Sequence, residues 1–115
     1  MPLIHYNKSA DKCTRVIPRG MGIGLANEPV FSSATEEISI KPESGDLFVF
    51  FTDGVIEAMD RYYRSFGEEN LTKIICSNSG KSAKEIQNII INAIKNFTYS
   101  SPVQDDLTLI VMKAF

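Results

Sequence analysis

The amino-acid sequence predicts an α+β fold in which a mostly antiparallel sheet carries two packed helices. Three observations predict it. Short β-prone runs crowd the first half of the chain, two stretches of helical periodicity follow one another in the second half, and an apolar run closes the chain. The order is strands, a loop, strands, two helices, then a strand.

The elements follow in order. Leu3–Asn7 and Thr14–Ile17 flank the polar turn Lys8–Lys12 and read as a hairpin. Pro18–Asn27 is loop, with Gly20, Gly22 and Gly24 in alternation. Glu36–Ile40 alternates polar and apolar residues, the pattern of a half-buried strand, and Pro42–Asp46 is a turn. Leu47–Phe51 (LFVFF) is a continuous apolar run, which predicts a strand buried on both faces and ended by Thr52–Gly54. Gly67–Ser77 has helical spacing, with Leu71, Ile74 and Ile75 on one side, and Ser79–Gly80 breaks it. Ser82 with Glu85 three residues on is a capping box. It opens a helix to about Phe97 whose apolar face is Ile86, Ile89, Ile90, Ala93, Ile94 and Phe97. Tyr99–Gln104 is loop, and Leu107–Met112 (LTLIVM) is a last strand, apolar on both faces. So few strands leave sheet edges open, which natural domains avoid. Residues 1–115 are therefore expected to form a single, incomplete domain.

Bulk properties narrow the function. At 115 residues and 43% hydrophobic, the chain suits one domain, or a piece of one, with a real core rather than disorder. A net charge of −2 and scattered Lys and Arg exclude the basic footprint of a nucleic-acid binder or of an anionic-membrane anchor. No apolar run is long enough to span a bilayer, and the opening MPLIHYNKSADK has no signal-peptide pattern. The two cysteines, Cys13 and Cys76, match neither a disulfide scaffold nor the usual zinc spacing. They are expected to be free thiols in a reducing cytosol, at least one of them buried, so the expected location is cytoplasmic.

The chemistry-bearing residues are acidic. Asp53 follows the apolar run Leu47–Phe51, while Asp105 and Asp106 directly precede Leu107–Met112. If the two strands are antiparallel neighbours, all three carboxylates meet at one end of the sheet. Crowded carboxylates raise one another's pKa, and a hard divalent cation such as Mg²⁺ or Mn²⁺ relieves the repulsion. Taken singly, Asp-Gly after a strand is first a turn and Asp-Asp before one a solvated loop end. Together, each abutting an apolar strand, they point to a metal site. His5 lies in the first strand and is expected at a surface or edge position; one histidine builds no nucleophilic triad. The run Gly20-Met21-Gly22-Ile23-Gly24 lacks the strand before and helix after that a dinucleotide site needs.

Four blocks carry a family resemblance. Gly20-Met21-Gly22-Ile23-Gly24-Leu25 resembles the glycine loop of SpoIIE/RsbU-type phosphatases, a branch of the metal-dependent PPM serine/threonine protein phosphatases. Ser44–Ala58 (SGDLFVFFTDGVIEA) resembles that family's central block, Phe66–Leu71 (FGEENL) its helix start and Asp105–Val111 (DDLTLIV) its closing motif. The order covers nearly the whole chain and resembles the C-terminal half of such a domain. The resemblance implies a two-sheet sandwich flanked by helices, two Mn²⁺ or Mg²⁺ ions, and direct attack of an activated water on a phosphoserine or phosphothreonine phosphorus. Carried over by motif, Asp53 and Asp105 are metal ligands, Asp106 is a neighbour with a weaker claim, and Gly54 lets the backbone pass close to the metal.

The family's first acidic motif and its two regulatory helices have no counterpart here, and Asp60–Arg64 (DRYYR) replaces a short Gly-Glu turn with a bulkier, more basic loop. Two functions follow. One is a phosphatase, or a part of one that is nearly inactive alone, acting on a phosphorylated anti-anti-sigma-type protein in partner-switching signalling. The other is a non-catalytic interaction module that binds a partner, including a second copy of itself as a homodimer. Neither a nucleic acid nor a membrane is an expected partner.

Overall fold

The computed structural model describes residues 2–99 and 106–115. In chain order it holds β1 (Leu3–Asn7), β2 (Lys12–Val16), α1 (Val30–Ala34), β3 (Leu47–Phe51), α2 (Asp53–Ile56), α3 (Gly67–Ser77), α4 (Ala83–Thr98) and β4 (Leu109–Lys113). The strands pair antiparallel in the order β2-β1-β3-β4, as the α+β reading expects. The β1–β2 hairpin turns where a polar side chain satisfies the backbone: the Asn7 side-chain oxygen accepts the Ala10 N–H at 2.7 Å, and across the turn the Tyr6 hydroxyl donates to the Asp11 carboxylate at 2.7 Å. Before β3 the chain turns through Gly45 at φ +95°, a left-handed conformation that favours glycine.

Register decides which side chains share a face. Ile4 lies opposite Val49 and Val49 opposite Val111, while Tyr6 lies opposite both Leu47 and Cys13. With Phe51, these residues make one face, and α3 and α4 cover it. Leu71 and Ile75 of α3 and Ile86, Ile90 and Ile94 of α4 bury themselves against Ile4, Tyr6, Leu47, Val49 and Phe51 in one core. The capping box at Ser82 is made: its hydroxyl oxygen accepts the Glu85 N–H at 3.3 Å, and the Glu85 carboxylate accepts the Ser82 N–H at 2.9 Å.

Four expectations are corrected. Glu36–Ile40 forms no strand, because no neighbouring strand is offered to it. Its backbone is instead tied by Glu36 N–H to the Arg19 carbonyl at 2.8 Å. The closing strand starts at Leu109 rather than Leu107, since Thr108 is held by Thr52. Leu47–Phe51 is sealed on one face only: Leu47, Val49 and Phe51 are buried, Phe48 and Phe50 half-buried. Finally, Cys13 and Cys76 form a disulfide, with Cα atoms 6.4 Å apart, and are not free thiols. The 63 residues between them hide this in the sequence; strand register puts Cys13 on the helix-covered face, beside α3.

Candidate metal centre

The pairing of β3 with β4 brings the acidic motifs to one end of the sheet. Phe51 is opposite Leu109, so the exit of β3 lies beside the entry of β4. Thr52 fastens the junction three times. Its N–H donates to the Thr108 carbonyl at 3.1 Å, its hydroxyl donates to the Asp106 carbonyl at 3.2 Å, and its hydroxyl oxygen accepts the Thr108 N–H at 3.0 Å. Asp53 follows Thr52 at the start of α2, and Asp106 is bound through its own backbone to Thr52. Asp53 and Asp106 therefore share one end of the sheet with exposed side chains. Gly54 is buried in the first turn of α2, where the Val55 N–H returns to the Thr52 carbonyl at 3.0 Å. Asp105 lies outside the described residues.

The donor chemistry fits a hard divalent ion in part. The Asp53 carboxylate takes no protein hydrogen bond among the described residues, which leaves its oxygens available. Among those same residues, however, no group of three or more His, Cys, Asp or Glu side chains gathers as a metal would need. Asp53 and Asp106 are two carboxylate residues at one end of the sheet, fewer than such a group requires.

Sequence reasoning missed two residues. Thr52 sets the geometry of the junction, and its position beside Asp53 was the available signal. His5 is not at an edge: β1 is an interior strand, and its ring stacks on Phe48 with centroids 4.6 Å apart. Its Nε2 meets the fully buried carboxylate of Asp46 at 3.0 Å. Burial alone would raise the Asp46 pKa. Hydrogen bonds from the Lys8 N–H, His5 and the Glu43 N–H outweigh it and hold the carboxyl below its ordinary value. Asp46 and Asp53 are separated by the length of β3, roughly 23 Å of strand, so this pair belongs to the opposite end of the sheet.

Comparison with known proteins agrees with this architecture. The profile of Stage II sporulation protein E (SpoIIE) matches residues 1–115. No curated protein sequence matches the chain. Among solved structures, the SiaA-PP2C domain of Pseudomonas aeruginosa is similar with a TM-score of 0.77 at 13% identity, over 99% of this chain and 43% of that one. The phosphatase domain of the cell fate determinant SpoIIE from Bacillus subtilis, in a Mn-presoaked form, gives 0.61 at 20% identity, over 99% and 46%. A Bacillus subtilis SpoIIE structure with the PP2C phosphatase domain and a fragment of the regulatory domain gives 0.69 at 21% identity, over 97% and 31%. The chain thus spans less than half the length of each.

Proposed function

The chain belongs to the SpoIIE family, and from that premise we propose that it is the C-terminal part of a metal-dependent phosphatase domain that hydrolyses phosphoserine or phosphothreonine on a regulatory protein. The observation that carries this reading is the Thr52 junction, which seats Asp53 beside the entry of β4. Asp53, Asp105 and Asp106 would hold Mn²⁺ or Mg²⁺, together with acidic residues from the remainder of the domain. A bound ion would supply a water of lowered pKa and neutralise charge on the phosphoryl oxygens. The chain's own part is to fix the carboxylates: Thr52 locks the two strand ends, and the buried Gly54 keeps the chain close beneath them. The proposed substrate is a phosphorylated anti-anti-sigma-type protein. No helix among the described residues is long and apolar enough to cross a membrane.

The test is phosphate release from a phosphoserine protein with Mn²⁺. The full chain alone is expected to be nearly inactive and to bind Mn²⁺ more weakly than micromolar by calorimetry. Joined to a family N-terminal half, it should turn over, and Asp53→Asn should abolish turnover. Turnover indifferent to Asp53→Asn would overturn the reading. A second reading, a non-catalytic interaction module, is favoured by the absence, among the described residues, of a group of three or more ligating side chains. It predicts no turnover in either form but tight binding to the phosphorylated protein.

A further inference from the structure

The loop Asp60–Arg64 lies between two bridged residues, Met59 and Ser65. Asp60 is buried and builds the loop from within. Its carboxylate accepts the Tyr62 N–H at 2.8 Å, the Arg64 N–H at 3.0 Å and the Arg64 Nε–H at 2.8 Å, and pairs with the second guanidinium nitrogen at 2.7 Å. Tyr63 sits at φ +61°, a conformation that a tyrosine holds only when its surroundings impose it. The outcome is a preset shape with Tyr62 61% exposed and Tyr63 83% exposed.

The charges on this loop are not balanced alike. Asp60 neutralises Arg64, whereas Arg61 has no ion-pair partner among the described residues. Both guanidinium groups lie over the Tyr62 ring, Arg61 at 4.7 Å and Arg64 at 5.4 Å from its centroid. An arginine stacked on an aromatic ring keeps the N–H donors at its edge free, and their planar fork matches a carboxylate or phosphate. A pocket of about 500 Å³ opens here, walled on its other side by Asn96 and Tyr99 at the end of α4.

Its position bears on the carboxylate end. Lys113 reaches the carbonyls of Ser79 and Lys81 ahead of α4, and Gln87 reaches the carbonyl of Leu109. α4 therefore runs antiparallel to β4 and continues about 15 Å beyond Gln87, past the end of the sheet that bears Thr52, Asp53 and Asp106. The pocket and the candidate metal centre occupy the same end of the molecule.

We infer that this pocket is a docking site for an acidic side chain of the protein substrate, held by Arg61 and Tyr62 while the phosphorylated residue lies at the carboxylate end. The inference rests on the phosphatase reading for the identity of the partner, but binding here needs neither metal nor turnover. The test is titration of the full chain, by backbone-amide NMR at low salt, with a short Glu-Ser repeat peptide and its Gln-Ser counterpart. Saturable shifts at Arg61, Tyr62 and Tyr99 are expected with the Glu peptide alone, weakened about five-fold by Arg61→Gln. Arg61 is exposed, so this variant should keep the parent's thermal midpoint. Equal shifts with the Gln peptide, shifts that leave these residues unmoved, or an unweakened Arg61→Gln would overturn the inference. No Mn²⁺-dependent turnover by the chain joined to a family N-terminal half, with peptide binding intact, would instead count against the phosphatase reading alone.

Discussion

On its helix-covered side the sheet presents Ile4, Tyr6, Leu47, Val49 and Phe51, all buried. On the other side Leu3, Phe48 and Phe50 are half-buried, while Ile110 and Met112 stand 47% and 54% exposed. Both faces carry apolar side chains, and register lines them up on both: Val16, Leu3, Phe50 and Ile110 form a single row across all four strands of the bare face. The covered face shows how the chain makes its own core. The bare face shows apolar surface in excess of what the described residues cover.

The contrast can be broken by truncation on each face. Phe51→Ala should cost about 3–5 kcal/mol, because it opens a cavity in a closed core. The neighbouring Phe50→Ala should cost about 1 kcal/mol, since little of its burial is lost. Urea unfolding measures both, and equal losses would mean that the bare face is not bare in solution.

The second test concerns how the edge strand β2 is held to the covered face. Cys13–Cys76 closes a loop between residues 63 apart, so reduction should lower stability by about 2–4 kcal/mol. Coincident urea curves with and without reductant would show that packing alone secures β2.

The third addresses what covers the bare face when nothing else does. The full chain should sediment as an oligomer, and the pair Ile110→Lys and Met112→Lys should return it to a monomer with stability changed by less than about 1 kcal/mol. A monomeric parent with a cooperative melt would remove the distinction between the faces.

The smallest expected effect belongs to the bare face's polar fixture, His5 with Asp46. The Asp46 carboxyl is held below its ordinary value when folded, so its contribution is fully present above about pH 4 and is lost as the pH falls through the lower folded value. Asp46→Asn should flatten that acid limb of the stability profile in pH-dependent urea midpoints. An unchanged limb would assign acid sensitivity to other groups.

Much of the fold was legible in local sequence. The spacing of Leu71 and Ile75, the Ser82 capping box and the apolar run Leu47–Phe51 each express a preference satisfied within a few residues, and each element stands where that preference puts it. The antiparallel neighbours β3 and β4, and with them the placing of Asp53 and Asp106 at one end of the sheet, were legible only as a conditional inference from apolar strands ending and starting in acid. Glu36–Ile40 has a strand's alternation and no strand, because a strand exists only where another chain segment pairs with it. The Cys13–Cys76 link, the Asp46–His5 pair and the pocket between Asp60–Arg64 and the end of α4 join residues far apart in the chain. The sequence by itself determined β1, β3, α3 and α4 and the residue types at their ends, because helical and strand periodicity are short-range. Only the tertiary structure decided which face of LFVFF is sealed and which distant side chains meet, because burial and contact depend on what packs across the gap.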